Sequence, residues 1–240
     1  MDRKPKYIPA FKANWLTIFL ALYGLFVFLP FFAPIMMEWN LPGLGKAIYG
    51  VYSFVCHQLP QRSLFFFGPK LMYSVDEVRA AWQMTENPLI LRQFIGNQEM
   101  GWKVAWSDRM ISMYGGIWVA GLVWALFGKR KLKIPILIFI LLAFPMAFDG
   151  ITHLISDFSG ITAGFRYTND WLAALTGNYF SASFYVGDAV GSFNSWARWL
   201  SGLLFGFGLV WWAFPYVSES LDQTAPPGFL QSKSINSGLR

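Results

Sequence analysis

The chain has 240 residues, of which 55% are hydrophobic and only 13% charged, with a formal net charge of +6. Soluble domains carry about 25% charged residues, so this composition, at a mean hydropathy of +0.40, excludes an ordinary soluble fold. The positive balance lacks the basic–aromatic grooves of a nucleic-acid binder and reads, once the charges are placed along the chain, as membrane topology.

Residues 1–14 hold Arg3, Lys4, Lys6 and Lys12 against the single acid Asp2. Trp15–Met37 then runs without a charge, and about 20 mostly apolar residues suffice to cross a bilayer as a helix. It is too long for a signal-peptide core and no small-residue cleavage site follows, so it reads as an uncleaved anchor. Ala47–Cys56 is apolar but too short to span, which predicts a re-entrant or interfacial helix. SLFFFG at 63–68 reads as a membrane-facing patch. Ser74 ahead of Asp76 and Glu77 is an N-cap signature and predicts a surface helix over 74–84.

Met110–Phe127 is the second span and GKRKLK at 128–133 a basic turn. The third span covers about 134–155, its charge-free part ending on Asp149. Thr168–Asn178 predicts a short helix closed by Gly177, and the fourth span covers about 199–217. The tail from 218 to 240 is polar and rich in Pro, Gly and Ser, which argues against a core of its own.

Short loops rich in Lys and Arg stay in the cytoplasm, whereas long ones translocate largely regardless of charge. The residues therefore predict an all-α integral membrane protein of the cell membrane with four transmembrane helices. Both termini and a cytoplasmic tail lie inside, and 38–109 and 153–198 lie outside, bearing short interfacial or re-entrant helices. A single membrane domain covers 1–217. Trp15, Trp39, Trp196 and Trp199 stand near span ends, where amphipathic aromatics collect.

With one cysteine and two histidines the chain cannot close a disulfide within itself or build a multi-cysteine metal site. No Gly-rich phosphate loop, HExxH or GxSxG occurs, and no metal is expected. Polar residues nevertheless gather at one predicted membrane face. Cys56, His57, Gln58 and Arg62 follow the short apolar helix; Asp108 and Arg109 stand at the mouth of the second span. Asp149 and His153, spaced i,i+4 on one helix face, stand at the mouth of the third, and Arg166 with Asn169 follows. Ionisable groups at membrane depth are costly and usually face a protein interior, a partner or a water-filled cavity. Four stretches delivering them to one level predict a shared cluster with Asp149 at its centre, beside Arg109 and Arg166. Plainer roles stand beside that one: Asp108 and Arg109 flanking a span in water, Asp149 and His153 fixing helix packing, Cys56 as a core residue.

FVCHQLPQRSLFF at 54–66, WSDRMISMYGG at 106–116, PMAFDGITH at 145–153 and FRYTND at 165–170 carry, in this order, a resemblance to the domain of unknown function 2085 family of predicted membrane proteins. The resemblance covers about residues 45–215. It implies the polytopic architecture and points to the same candidate residues, not to an activity. Where the family often has two further cysteines this chain has Ser107 and Met110, so the resemblance leaves Cys56 and His57 without thiolate partners.

Three functions fit. The first is a non-catalytic or degenerate subunit of a larger membrane assembly, with other membrane subunits as partners. The second is a small enzyme acting on a lipid or isoprenoid at the outer leaflet, with Asp149 and His153 as acid and base candidates and Arg62, Arg109 and Arg166 gripping an anionic head group. The third is a quinone, pigment or haem binder using the histidines. The lost cysteines and the absence of a nucleophile–base pair rank the subunit first and leave no cofactor assigned.

Overall fold

A computed structural model describes residues 7–127 and 132–223, with side chains from residue 14 onward. Most of the N-terminal basic cluster, the basic run 128–131 and the tail 224–240 lie outside the described residues. Four helices are long and apolar enough to cross a membrane: α1 (Tyr7–Glu38), α5 (Asp108–Phe127), α6 (Ile136–Asp157) and α10 (Phe193–Gln223). Between α1 and α5 come α2 (Pro42–Tyr52), a 3-10 turn (Pro60–Arg62), β1 (Ser63–Phe66), α3 (Val75–Ala81), α4 (Pro88–Leu91), β2 (Gly96–Asn97) and β3 (Gly101–Ser107). Between α6 and α10 come three short helices, α7 (Phe165–Thr168), α8 (Asp170–Leu175) and α9 (Ala182–Tyr185).

The helix α10 is the hub of the bundle. Against α5 it presents Gly202 and Gly206, one turn apart, to Ser112 and Gly116. A Cβ added at Gly206 would lie 2.7 Å from the backbone nitrogen of Ile117, so a larger residue would force the two backbones apart. Close approach over small residues is how helices pack where lipid offers no hydrophobic drive. On its other side α10 meets α6 through Phe139, which stacks on Trp212 at 5.1 Å. Helices α5 and α6 thus both lean on α10 but scarcely touch each other along their lengths. At the far end, Trp15, Trp124 and Phe214 form an aromatic cluster, and Lys133 pairs with Glu219.

The end of the bundle where α1 and α6 finish and α5 and α10 begin carries a second layer. Its frame is a three-stranded antiparallel sheet in the order β1-β3-β2, an element the helical reading of the sequence did not include. The strand β3 runs against α1: Trp106 donates its indole N–H to Val27 O, and Tyr52 of α2 donates to Phe26 O. Both faces of β3 are buried, including Lys103, so the polar–apolar alternation that marks a half-exposed strand is missing. The patch at 63–68 is corrected in part. Phe65 is core, packed with Tyr73 and Phe94, because β1 pairs with β3 and turns alternate residues inward; Phe67 remains exposed.

Other expectations hold in place. Ser74 caps α3 in a reciprocal capping box with Glu77. The helix α2 leaves Leu44 and Val51 exposed, as an interfacial helix would. The helix α8 ends at Leu175 ahead of Gly177, at φ +61°. The helix α10 begins six residues before the expected span, which brings Arg198 into the bundle, and residues 218–223 continue it as helix.

Candidate functional site

Five arginines and four aspartates converge where the second layer meets the spans. Asp108, at the start of α5, is fully buried and receives Nε of Arg198 at 2.8 Å on both carboxylate oxygens. Arg198 continues through Nη1 to Asp188 at 2.6 Å, and Asp188 is met from its other side by Nε of Arg62 at 2.9 Å. Arg62 then forks onto Asp157 at the end of α6, at 3.1 and 3.0 Å. A second group centres on Asp149. It accepts from Arg109 at 2.6 Å and from Arg166 at 2.5 Å, while Nε2 of His153 lies 3.3 Å from the Arg166 Nη2. The backbone N–H of Arg109 donates to Asp108 at 2.8 Å and joins the two groups.

Burial opposes ionisation of Asp188, but Arg62 and Arg198 outweigh it and hold the carboxyl below the usual range. The same pairing raises Arg62 above its already high ordinary value despite burial. Breaking one such pair strands a buried charge. Because Arg166 donates to Nε2 of His153, the neutral ring carries its proton on Nδ1, which is buried with no acceptor among the described residues. Nε of Arg109 is in the same condition.

Beside these pairs lies a cavity of about 360 Å³. Arg62, Asp108, Arg109, Asp157 and Arg198 line it together with His57, Arg92 and His153. Its mouth is rimmed by Leu89, 66% exposed, Leu154, 60%, and Phe158, 83%. A wider cavity of about 620 Å³, lined by Tyr49, Ser53, Phe54 and Gln93, shares Leu89 and Arg92 with it.

Arg62, Asp108, Arg109, Asp149, His153 and Arg166 thus come together as the sequence predicts. His57 stands at the cavity wall without a direct hydrogen bond to them. Cys56 is set apart: its Sγ lies 3.6 Å from the Oγ of Ser107, one of the two positions where the resembled family often has a cysteine. Gln58 and Asn169 are struts. Gln58 donates to Tyr49 O, and Asn169 donates to the carbonyls of Arg166 and Tyr185. Sequence reasoning missed Asp188, Asp157, Arg92 and Arg198 as members. The signal for Asp188 was an acid in the otherwise neutral stretch SFYVGDAVG, and that for Arg198 a charge at the mouth of the fourth span. Among the described residues no group of three or more His, Cys, Asp or Glu is placed to hold a metal ion.

Residues 97–212 match the model of the family described as predicted membrane protein, domain of unknown function 2085. The resemblance to this family is therefore borne out over a stretch that holds three of the four sequence motifs; the first, at 54–66, lies outside it. An uncharacterized protein of Methanocaldococcus jannaschii is 28% identical over 173 residues, covering 70% of this chain and 82% of the relative. No solved structure matches. The match includes α5, α6 and the arginines and aspartates of both groups except Arg62; Arg92 of the cavity also lies outside it. The chain is a predicted membrane protein with four apolar helices, set in a lipid bilayer.

Proposed function

We propose that the protein binds a membrane amphiphile, taking its anionic head group into the cavity and leaving its apolar chain outside, along Leu154 and Phe158 at the cavity mouth. The observation that carries this is the presence of fully engaged and partly engaged arginines around one cavity with an apolar rim. Arg62 and Arg198 are each bound by two aspartates. Arg92 makes one side-chain bond, to Ser53 O at 3.1 Å, and Arg109 makes one, to Asp149, so both forks keep N–H groups for an anion. The volume falls at the lower end of small-molecule sites, suited to a head group rather than a whole lipid. The apolar rim would be a liability in water and is an advantage at a bilayer interface.

The basic clusters at 1–14 and 128–133 favour an orientation in which the cavity end of the bundle faces outward from the cell membrane and both termini face the cytoplasm. The subunit reading ranks below this one, because the exposed apolar face of α6, from Leu137 to Phe158, is also what contact with lipid requires. A haem is disfavoured because Nε2 of His153 is turned to Arg166. Protein purified in mild detergent and weighed by native mass spectrometry should carry an anionic lipid, and Arg92→Gln should lose it. A wild-type protein that binds no added anionic lipid, or a variant that holds it equally, would overturn the proposal.

A further inference from the structure

The chemical class of the head group follows from charge and donor geometry, and the step rests on the binding reading above. Five arginines (62, 92, 109, 166 and 198) face four aspartates (108, 149, 157 and 188). With the histidines neutral, and with Lys103 behind Arg92 neutral as well, the region keeps one positive charge. A monoanion would cancel it. A dianion would leave one negative charge over, in a place where uncompensated charge is costly.

Of the two histidines that line the cavity, His153 is engaged by Arg166, which leaves His57 to meet that demand. His57 lines the cavity, is exposed, and forms no hydrogen bond to a described residue. It is faced by Arg62 of the 3-10 turn, Arg92 beyond α4, and Asp108 with Arg109 of α5. From the remaining elements come Asp157 and His153 of α6 and Arg198 of α10. Surrounding protein together with Arg62, Arg109 and Arg92 holds its pKa below the ordinary histidine value, with Asp157 opposing. An anion between those arginines reverses the sign of that field and favours the imidazolium.

We propose that the ligand is a lipid phosphomonoester whose terminal phosphate is gripped by Arg92 and Arg109, and that His57 takes up one proton from water as it binds. No covalent bond changes. Two guanidinium forks and one imidazolium supply donors for three terminal oxygens, more than a phosphodiester with two free oxygens can use. His57 is thereby a positioning and charge-balancing group, sensitive to the charge of the head rather than to the chain.

The probes are phosphatidic acid, a monoester, phosphatidylglycerol, a diester, and phosphatidylcholine, titrated into detergent-solubilised protein at pH 5.5, 6.5 and 7.5. Wild type should favour phosphatidic acid over phosphatidylglycerol by about tenfold near pH 6.5, the scale of one charge-assisted hydrogen bond. His57→Gln should keep the wild-type melting temperature in the same detergent, which shows that it folds. Its affinity for phosphatidic acid should fall below wild type most at pH 5.5, the gap closing by pH 7.5. The ligand's own second ionisation, near pH 6, is common to both proteins and cancels in the ratio. Equal affinity for the two anionic lipids would overturn the monoester assignment. A ratio that does not change with pH would overturn proton uptake. Failure of all three lipids to bind would overturn the underlying reading instead.

Discussion

Arg198 lays its guanidinium against Asp108, Nε 2.8 Å from both carboxylate oxygens and Nη2 2.7 Å from one of them. The two side chains join the first turns of α10 and α5 where neither residue is reached by water. Ser112 adds a bond to Arg198 O, so the contact is fixed in backbone as well as side chain. A charge pair at this depth is a weak source of stability while intact and a large loss when broken. Replacing Arg198 with Gln should therefore cost about 3–5 kcal/mol by leaving Asp108 buried without its partner. The double variant Arg198→Met with Asp108→Leu should recover part of that loss, read as melting temperature in one detergent. Recovery of none would show that the pair with Asp188, not Asp108, dominates.

Asp149 bridges two arginines from different segments, Arg109 of α5 and Arg166 of α7. Its short side chain, ending a stretch of apolar helix, cannot reach water as a lysine could. Asp149→Ala should lower folded yield in membranes. Asp149→Asn keeps one acceptor oxygen but removes the charge that balances two guanidiniums, so it should be nearly as harmful. A normal yield for both variants would mean that the arginines find other partners.

Lys103 gives the pH dependence a sign. It is wholly buried in β3, donates to Gln58 O and Arg92 O at 2.7 Å each, and burial pushes its pKa down to about 7. The unfolded chain holds the same proton up to about 10.4. Between those values the folded state binds fewer protons, so this residue adds stability as pH rises from 7 towards 10, by at most about 1.4 kcal/mol per unit. The difference in melting temperature between wild type and Lys103→Met should widen in favour of wild type from pH 6 to pH 9. A difference independent of pH would show that Lys103 stays charged.

Orientation is tested by cysteine labelling in intact cells in a background where Cys56 is replaced by Ala. Glu99→Cys, on an exposed turn of the second layer, should react with a membrane-impermeant maleimide. Lys133→Cys, at the other end of the bundle, should react only after lysis. The reverse pattern would place the cavity in the cytoplasm.

The four spans were legible because charge-free runs of bilayer length allow no other backbone solution. The cluster was legible in outline because Asp149, His153 and Arg166 are ionisable groups in apolar stretches. Asp188 was not: it lies in a short neutral loop, and only the fold carries it to Arg62 and Arg198, far away in sequence. The sheet escaped because β3 packs on α1 with one face and is covered on the other. Lys103 and Ser107 are buried there alongside Trp106, and the period-2 pattern is erased. Arg92 looked like an ordinary loop arginine, since what distinguishes it is the cavity it borders.

The most direct test of the account is an experimental structure of the protein in lipid nanodiscs containing phosphatidic acid. The expected density is an acyl chain along Leu154 and Phe158 at the cavity mouth, ending in a head group within hydrogen-bond distance of Arg92 and Arg109 and beside His57. A cavity filled by protein side chains, or lipid density along α6 with no head group in the cavity, would contradict the account.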